Sequence, residues 1–159
     1  MKFTHLTSTG EAHMVDVSHK KQSVREATAV GTVTCSRDVV QALRDGTVPK
    51  GDVLAVARIA GIAGAKRVPD LLPLAHPIAL HAATVDLSIE DHGVEIGATV
   101  RTADITGVEM EALTAVTVAA LAIIDMVKGV DRSAEISGCR IIAKSGGRSG
   151  TWFRSGYEE

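Results

Sequence analysis

The sequence predicts one α+β domain, with a four-stranded, mainly antiparallel sheet and helices packed on one face. Three observations lead to this prediction. Apolar residues alternate with polar ones over 25–35, the same alternation runs through two adjoining segments within 84–100, and helix-forming residues fill 109–129. Period-two patterns indicate half-buried strands. A chain of 159 residues is long enough for one domain with a substantial core.

The chain begins with a polar, non-periodic stretch, residues 1–23, which we interpret as an extended arm. The first strand is predicted from Arg25 to Cys35, because its odd positions are mostly small and apolar. Ser36 then offers an N-cap, since its hydroxyl can accept a hydrogen bond from a backbone N–H of the first turn. Gly46 can end the resulting short helix in the left-handed conformation.

A second helix is predicted from Val53 to Lys66, with Asp52 as its N-cap. Gly61 and Gly64 are its expected points of contact with another helix, because they have no side chain to hold a neighbour away. The segment that follows, VPDLLPLAHP, contains three prolines, which lack a backbone N–H and have a restricted φ. We therefore predict a long, rigid loop there.

Two alternating segments on either side of the turn 91–93 predict a β-hairpin. A long helix from about Glu109 to Gly129 follows, and then a last strand from Ser133 to Ala143. The glycine-rich basic tail, 144–159, is expected to be mobile, which leaves 24–143 as the folded domain. This order of strand, helices, hairpin, long helix and strand fits the ferredoxin-like arrangement best.

The long helix carries charges only at its ends. Its apolar stretch from Ala112 to Ile124 is interrupted only by threonines, so it must be buried on more than one side. Glu111 and Asp125 share a helix face, yet they lie about 21 Å apart along the axis at about 1.5 Å per residue. Two copies packed antiparallel in a two-fold dimer could bring Glu111 of one chain near Asp125 and Lys128 of the other. We therefore predict an oligomer with its site at a subunit boundary. The alternative is that these charges only mark where a buried helix meets water.

Composition argues against several classes of function. The chain has 17 Lys and Arg against 19 Asp and Glu, a formal net charge of -2, which argues against a general nucleic-acid binder. Cys35 and Cys139 do not have the paired spacing of zinc or redox sites, so we interpret them as buried thiols in a reducing compartment. The amino terminus lacks an apolar signal region, and the longest apolar stretch is short and threonine-rich for a bilayer span. We expect a cytoplasmic protein with no nucleic-acid or membrane partner.

Several short motifs are individually weak, but their order and spacing together are specific. They are MVDVS at 14–18, KGDV at 50–53, ARIAGI and AKR within 57–67, LPLAHP at 72–77, GVEMEALTA at 107–115, DMVK at 125–128 and KSGGRSG at 144–150. With these motifs the chain closely resembles the molybdenum cofactor biosynthesis protein C family, from about residue 4 to residue 150.

The resemblance implies a lyase of the first stage of molybdopterin synthesis, with general acid–base catalysis in the domain 24–143. Members of this family convert 3′,8-cyclo-7,8-dihydroguanosine 5′-triphosphate to cyclic pyranopterin monophosphate and release pyrophosphate. Their substrate is derived from GTP by a radical GTP cyclase of the same pathway, which is the implied functional partner. The resemblance also implies a homo-hexamer, built as a trimer of dimers, with its sites at the dimer boundary.

By the same resemblance, Asp125 is the catalytic aspartate, and Lys128 and Lys50 are functional lysines. Rebuilding a purine ring system requires proton transfers on nitrogen and oxygen, so an acid and a base are expected together. We predict Asp125 as the orienting base and Lys128 as the proton donor. Lys50 precedes a helix, where backbone N–H groups and an ammonium can jointly hold a phosphate. The alternatives are a surface ion pair on the long helix and a solvated loop lysine.

Two further motifs correspond to substrate-binding segments of the family. The implied positions are Leu74, Ala75, His76, Glu109, Met110 and Glu111. The His76 imidazole can bond phosphate or base, while packing against the loop is the alternative. Alanine stands at position 75 where the family usually has cysteine, so no nucleophilic thiol can act there. Either the family's cysteine only packs or uses its backbone, or this chain is impaired; we favour the former because the proton-transfer groups of the long helix remain.

A triphosphate needs several cations. The available ones are Arg25, Lys66, Arg67, Lys144 and Arg148. Arginine suits phosphate because its guanidinium can donate two hydrogen bonds in parallel. KSGGRSG could also fold its backbone N–H groups around an anion as a nest, although it lacks the Walker A spacing; a flexible basic tail is the alternative. No motif demands a cofactor or a metal ligand, and Mg²⁺ could help by neutralising the leaving pyrophosphate.

A different class of function uses the same residues. A non-catalytic purine-nucleotide binding module that regulates a partner would need the same basic cluster and the same helix dimer. That reading predicts GTP binding without a product and little effect of Asp125→Asn on function. Catalysis predicts loss of turnover with binding retained.

Overall fold

The computed structural model describes residues 5–158. In chain order its elements are β1 (Ser23–Thr34), α1 (Arg37–Asp45), α2 (Val53–Ala65), α3 (Val68–Leu71), β2 (Ala82–Glu90), β3 (Gly93–Asp104), α4 (Glu109–Val127), β4 (Glu135–Ser145) and β5 (Trp152–Phe153). The strands form one sheet in the order β2-β3-β1-β4-β5, and every neighbouring pair is antiparallel. The predicted α+β class and the antiparallel sheet are confirmed.

The prediction of four strands is wrong, because the sheet has a fifth strand. β5 comprises only Trp152 and Phe153, which pair with Lys144 and Ala143 of β4. It lies in the segment that the sequence predicts as a mobile tail, and that segment also includes the last two residues of β4. A strand of two residues shows no alternation, so periodicity could not reveal it.

One face of the sheet forms the core because small apolar residues alternate along its strands. Ala27, Ala29 and Val33 of β1 are at most 1% exposed, and Ala29 lies opposite Ala98 of β3. The alternation that predicts β1 is therefore confirmed, although the strand ends at Thr34. Cys35 lies just beyond it and is half-buried rather than buried, as is Cys139. Burial, reinforced by nearby Asp131, raises the pKa of the Cys35 thiol to about 11.

The two larger helices pack together against this face. The start of α2 lies beside the end of α4, since Lys50, which precedes α2, contacts Asp125 near the end of α4. Gly61 and Gly64 are buried and meet α4 directly, as predicted: a Cβ on Gly61 would lie 2.8 Å from the Ala115 carbonyl oxygen, and one on Gly64 would lie 2.8 Å from Val118. Close approach of the helix backbones is thus possible only because these positions lack a side chain.

Replacing Gly61 with alanine should lower the free energy of unfolding by about 1–3 kcal/mol, because the added methyl overpacks the helix contact. Gly97→Ala is the matched control, since a Cβ at Gly97 of β3 meets no atom within 4 Å. The control should stay within about 0.5 kcal/mol of the parent protein. Denaturant unfolding of the three proteins at one concentration measures both effects. Equal stability of the two variants would show that the contact at Gly61 is loose.

Helix α4 is long and apolar enough to cross a membrane, with a mean hydropathy of 1.9. The expectation that the apolar stretch is too short for a bilayer span is therefore wrong. Half of this helix is buried inside the protein, where it packs on β1, β3 and β4. A core helix shows the same composition as a membrane span, so its burial and not its length distinguishes the two.

Candidate active site

Asp125, near the end of α4, is held by two lysines. Lys128 Nζ lies 2.8 Å from Asp125 Oδ1. Lys50 Nζ lies 3.2 Å from Asp125 Oδ2 and donates to the Asp125 carbonyl oxygen at 2.7 Å. The three side chains are between 49% and 60% exposed, so a ligand can reach them. We call Lys50, Asp125 and Lys128 the lysine–aspartate cluster. It combines the Asp125–Lys128 ion pair at the end of α4, which the sequence predicts as one alternative, with Lys50 from the KGDV motif.

Hydrogen bonds from Lys128 and then from Lys50 lower the pKa of Asp125 below its ordinary value of 3.8. The carboxylate therefore stays ionised at neutral pH and is a weak proton acceptor. It is well placed to orient two ammonium groups, each of which can donate a proton. The roles of orienting base for Asp125 and proton donor for Lys128 stay predictions, and the lowered pKa favours orientation over proton abstraction.

The KGD motif places Lys50 beside α4 by means of a tight turn. Gly51 has φ +99°, a conformation that L side chains rarely adopt, and its N–H donates to the Val48 carbonyl at 3.0 Å. Asp52 then caps α2 as predicted, because its carboxylate accepts from the Ala55 N–H at 2.9 Å. Lys50 thus immediately precedes a turn that Gly51 forms and that leads into the Asp52 N-cap of α2.

A cavity of about 670 Å³ lies at the other end of α4. The proline-rich loop after α3 forms one wall, and the first turn of α4 forms the other. Its lining residues are His5, Leu72, Pro73, Leu74, Ala75, His76, Thr106, Gly107, Glu109, Met110 and Glu111. All six predicted substrate-binding positions of the LPLAHP and GVEME motifs therefore line one cavity, although they lie far apart in the sequence.

His76 is oriented by the N-terminal arm. Its Nε2 lies 2.7 Å from the carbonyl oxygen of Val15, which belongs to the MVDVS motif. A carbonyl can only accept, so we assign the hydrogen to Nε2, which leaves Nδ1 as the acceptor in the neutral ring. The arm thus packs against the cavity, to which it also contributes His5.

Glu111 is the buried carboxyl of the cavity wall. Only 4% of the residue is exposed. Burial raises its pKa from 4.5 to about 7, and the nearby carboxylate of Glu109 acts in the same direction. A carboxyl that titrates near neutral pH can both donate and accept a proton, so Glu111 is suited to chemistry as well as to binding.

We expect Glu111→Gln to stabilise the protein at neutral and alkaline pH. The raised pKa means that the folded state binds more protons than the unfolded state between pH 4.5 and about 7. The free energy of unfolding therefore falls as pH rises through this window and carries the full penalty above it. Glutamine is uncharged at every pH and lacks this penalty, so the variant should become increasingly more stable than the parent from acid to neutral pH.

Urea unfolding of the parent and of Glu111→Gln, at fixed protein concentration from about pH 4 to about pH 9, measures this difference. Fixed concentration matters because self-association would also change apparent stability. Stability curves that run parallel across the whole range would show that the Glu111 carboxyl is not desolvated in the protein.

Two smaller cavities continue from the large one. The first, of about 180 Å³, shares Thr106, Gly107 and Glu109 with the large cavity. The second, of about 350 Å³, shares Lys20 and Arg25 with the first. We call these two smaller cavities the basic groove. Its lysines and arginines are Lys20, Lys21, Arg25, Lys144 and Arg148.

Lys144 connects the basic groove to the large cavity. Its Nζ lies 3.0 Å from Glu109 Oε1 and 3.0 Å from Ser149 Oγ. Arg25 is fixed on the other side, where its Nε donates to the Asp104 carbonyl at 2.9 Å. Lys144 and Arg25 are thus held by protein contacts, so that an anion in the groove would meet two donors already in position.

The structure separates two of the predicted cations from the others. Arg25, Lys144 and Arg148 lie together in the groove, whereas Lys66 and Arg67 line neither the groove nor the large cavity of this chain. Arg67 instead pairs with Asp70, with Nε 2.6 Å from the carboxylate. Both residues follow the end of α2, whereas the groove is built from the arm, β1, β4 and the segments that follow β3 and β4.

Several lining residues are missed by sequence reasoning: His5, Lys20, Lys21, Thr106 and Gly107. The adjacent lysines of the arm are a visible signal. Nothing local connects them to the KSGGRSG motif at the other end of the chain, because only the β1–β4 pairing brings the two segments together.

The large cavity and the lysine–aspartate cluster lie at opposite ends of α4. Glu111 is in its first turn and Asp125 in its last, about 21 Å apart at about 1.5 Å per residue. One chain therefore cannot close both around one small molecule.

Among residues 5–158, no three His, Cys, Asp or Glu side chains are grouped closely enough to hold a metal ion.

Comparison with known proteins identifies relatives over nearly the whole chain. A profile of the MoaC family matches residues 14–147. A cyclic pyranopterin monophosphate synthase of Streptomyces griseus subsp. griseus is 58% identical over 157 residues, which cover 99% of this chain and 89% of the relative. Its counterpart in Streptomyces coelicolor is 57% identical over 97% of this chain and 91% of the relative. The enzyme of the same name from Corynebacterium efficiens is 52% identical over 95% and 97%.

Proposed function

Because the chain belongs to the MoaC family, we propose that it is a cyclic pyranopterin monophosphate synthase, a lyase of molybdenum cofactor biosynthesis. It converts 3′,8-cyclo-7,8-dihydroguanosine 5′-triphosphate to cyclic pyranopterin monophosphate and pyrophosphate. The observation that carries the proposal is the family match over residues 14–147, which include the large cavity's loop and the complete lysine–aspartate cluster.

The parts of the site suit the parts of this substrate. The large cavity has the volume for a fused ring system, and its wall offers apolar contacts from Leu74 and Met110 together with the Glu111 carboxyl. The adjoining basic groove suits the triphosphate, because its ammonium and guanidinium groups can neutralise several phosphate oxygens. The sugar would then lie beside the Glu109–Lys144 ion pair, between the ring system in the cavity and the triphosphate in the groove.

We infer that a second copy of the chain supplies the lysine–aspartate cluster. An exposed apolar surface on α2 and α4 supports this, since Ile59 is 68% exposed and Leu121 59% exposed. Covering such a surface with a second copy removes apolar area from water. A two-fold axis that packs the two α4 helices antiparallel would bring Glu111 of one chain to Asp125 of the other and form two equivalent sites. The proposed hexamer is a trimer of these dimers.

The chemistry needs proton transfers and one displacement at phosphorus. In the displacement, a ribose-derived hydroxyl oxygen forms a bond to the α-phosphorus and loses its proton to a general base. The bond from that phosphorus to the bridging oxygen breaks, and pyrophosphate leaves with the electron pair. Cations of the groove offset the charge that develops on pyrophosphate. Lys128 and Lys50, oriented by the Asp125 carboxylate, donate protons to nitrogen or oxygen of the opening ring. Mg²⁺, where present, would bind phosphate oxygens and offset the charge of the leaving pyrophosphate.

The same proposal extends to the topology of the sheet, the source of the substrate and the location of the protein. The first four strands have the order β2-β3-β1-β4 with α2 and α4 on one face, which supports a ferredoxin-like core to which β5 and α1 are added. The substrate is supplied by the radical GTP cyclase of the same pathway, and the protein acts in the cytoplasm.

Incubation of the purified chain with enzymatically prepared 3′,8-cyclo-7,8-dihydroguanosine 5′-triphosphate tests the proposal. Pyrophosphate and cyclic pyranopterin monophosphate should appear in equal amounts, which would also show that Ala75 is compatible with the reaction. Tight binding of the triphosphate without either product would contradict catalysis and support a nucleotide-binding module.

A further inference from the structure

The C-terminal strand β5 lies directly beside a cation of the basic groove. Trp152 is opposite Lys144 in the β4–β5 pair, and Phe153 is opposite Ala143. Neighbouring strands lie about 4.7–4.9 Å apart, and directly opposite side chains share one face of the sheet. Trp152 therefore lies beside Lys144 on the same face, while lining neither the large cavity nor the groove.

The residue after β5 anchors the strand to β4. The N–H of Arg154 donates to the Ile142 carbonyl at 2.8 Å, and its Nε donates to the Ile141 carbonyl at 2.7 Å. Its guanidinium also lies 5.8 Å from the centroid of the Trp152 ring. Three contacts from one arginine thus hold β5 along the outer edge of the sheet.

A second arginine–aromatic pair holds the segment three residues further on. The Tyr157 hydroxyl is hydrogen-bonded to the Arg140 guanidinium, which lies 5.5 Å from the centroid of the tyrosine ring. Among residues 5–158, the aromatic residues Phe, Trp and Tyr occur only in this C-terminal segment. The C-terminal segment is therefore attached to the edge of the sheet by its aromatic and arginine side chains.

The last five residues of the KSGGRSG motif, Gly146 to Gly150, form most of the loop between β4 and β5. Gly146 and Gly147 have φ of +85° and +70°. A Cβ on Gly147 would lie 2.3 Å from Arg25 Nη1, and one on Gly146 would lie 2.1 Å from the Val24 carbonyl oxygen. The loop therefore lies close against β1, next to Arg25, and it carries Arg148 into the groove.

We propose that β5 is a positioning element for polyphosphate binding: its pairing with β4 at Lys144 closes the loop between the two strands and holds Arg148 in the basic groove, beside Lys144, which the β1–β4 pairing already places. The inference rests on the proposed function, since the groove is taken to receive the triphosphate. A basic segment with one end unattached must lose conformational freedom when it binds an anion, whereas a loop held at both ends has already lost it. The β4–β5 pairing acts through Arg148, and Trp152 and Phe153 do not contact the substrate.

Adjacent positions of β5 provide a matched pair of proline variants. The Arg154 N–H bonds to β4, and hydrogen-bonded pairs recur at every second residue of an antiparallel ladder, so the Trp152 N–H also faces β4. The Phe153 N–H faces away. Trp152→Pro removes a ladder hydrogen bond and Phe153→Pro does not, while each variant loses one aromatic ring and neither changes the net charge.

Calorimetric titration of the full-length proteins with inorganic tripolyphosphate tests the proposal. The Kd for tripolyphosphate should rise about tenfold in Trp152→Pro, because the loop must then be ordered on binding. It should stay within about twofold of the parent value in Phe153→Pro, whose ladder is intact. Steady-state assays with the cyclic triphosphate substrate should show the same rise in KM for Trp152→Pro with kcat nearly unchanged, a pattern that a general loss of folded protein would not produce.

Equal tripolyphosphate affinity of the parent, Trp152→Pro and Phe153→Pro would overturn the positioning role and leave the proposed function intact. An equal loss in both variants would also overturn it, because the rings and not the strand pairing would then be responsible. Failure of the parent protein itself to bind tripolyphosphate would remove the groove from the proposed function, and the positioning role with it.

Discussion

Asp125→Asn is expected to lower kcat by about a thousandfold, within the range that a positioned proton-transfer group contributes. Asparagine has no charge to hold the two ammonium groups that Lys128 and Lys50 present to the carboxylate at 2.8 and 3.2 Å. Its amide N–H₂ would also be a donor facing donors. Lys128→Ala should have a loss of similar size, since it removes one of the oriented ammonium groups.

Binding and folding should survive both substitutions. Asp125 and Lys128 are more than half exposed, and exposed polar substitutions usually change stability by no more than about 0.5 kcal/mol. Single-turnover and steady-state assays with the cyclic triphosphate, together with urea unfolding, separate the effects on chemistry, binding and stability.

Asp70→Asn is the matched control for Asp125→Asn. Asp70 is also an exposed aspartate in an ion pair, with Arg67 at 2.6 Å, but it lines neither the large cavity nor the basic groove. It should keep the parent kcat. Turnover retained in both Asp125→Asn and Lys128→Ala would contradict the roles proposed for the lysine–aspartate cluster.

Mixing two inactive variants should restore activity if each site is formed by two chains. Glu111→Gln disables the cavity end of α4, because the amide cannot exchange a proton as a carboxyl with a pKa of about 7 can. Lys128→Ala disables the other end. In a mixed dimer, one of the two sites combines the intact Glu111 of one chain with the intact Lys128 of the other. Random mixing in equal amounts should therefore recover about a quarter of the parent activity, since half the dimers are mixed and each has one intact site.

Co-refolding of the two variants, followed by the pyrophosphate assay, measures this recovery. A chain that carries both substitutions, mixed in equal amounts with the parent protein, is the control. Each of its mixed dimers should have an altered residue in both sites, so that only the parent dimers stay active and about a quarter of the parent activity remains. Sites formed within one chain would instead keep about half of the parent activity. Activity that stays at the level of the separate variants would show that the site does not combine Glu111 and Lys128 from different chains.

Local patterns account for most of the secondary structure. The alternation of Ala27, Ala29 and Val33 predicts β1, and the Ser36 and Gly46 caps predict the bounds of α1, because both signals act over a few residues. Ser36 accepts from the Val39 N–H, and Gly46 has φ +66°, as expected. The two-residue β5 could not be predicted in this way, since its partner on β4 and the anchoring arginine determine it.

Motif order predicts which residues form the candidate site more completely than it predicts their surroundings. The LPLAHP and GVEME motifs do line one cavity, and Lys50 does meet Asp125, which also pairs with Lys128. The cation set is different from the predicted one, because Lys20 and Lys21 join the groove while Lys66 and Arg67 lie elsewhere. No local feature of the sequence specifies which charged residues lie in the same groove.

The sequence by itself determined the strands with clear alternation, the capped helices, the close helix contact at Gly61 and the family to which the chain belongs, since each depends on residue identity at short range or on motif order. Only the tertiary structure decided that the arm and the 144–150 loop form one groove, that Glu111 is buried enough to titrate near pH 7 and that two lysines lower the pKa of Asp125. These properties depend on distances between residues that are remote in the chain and on exclusion of water, neither of which a local pattern specifies.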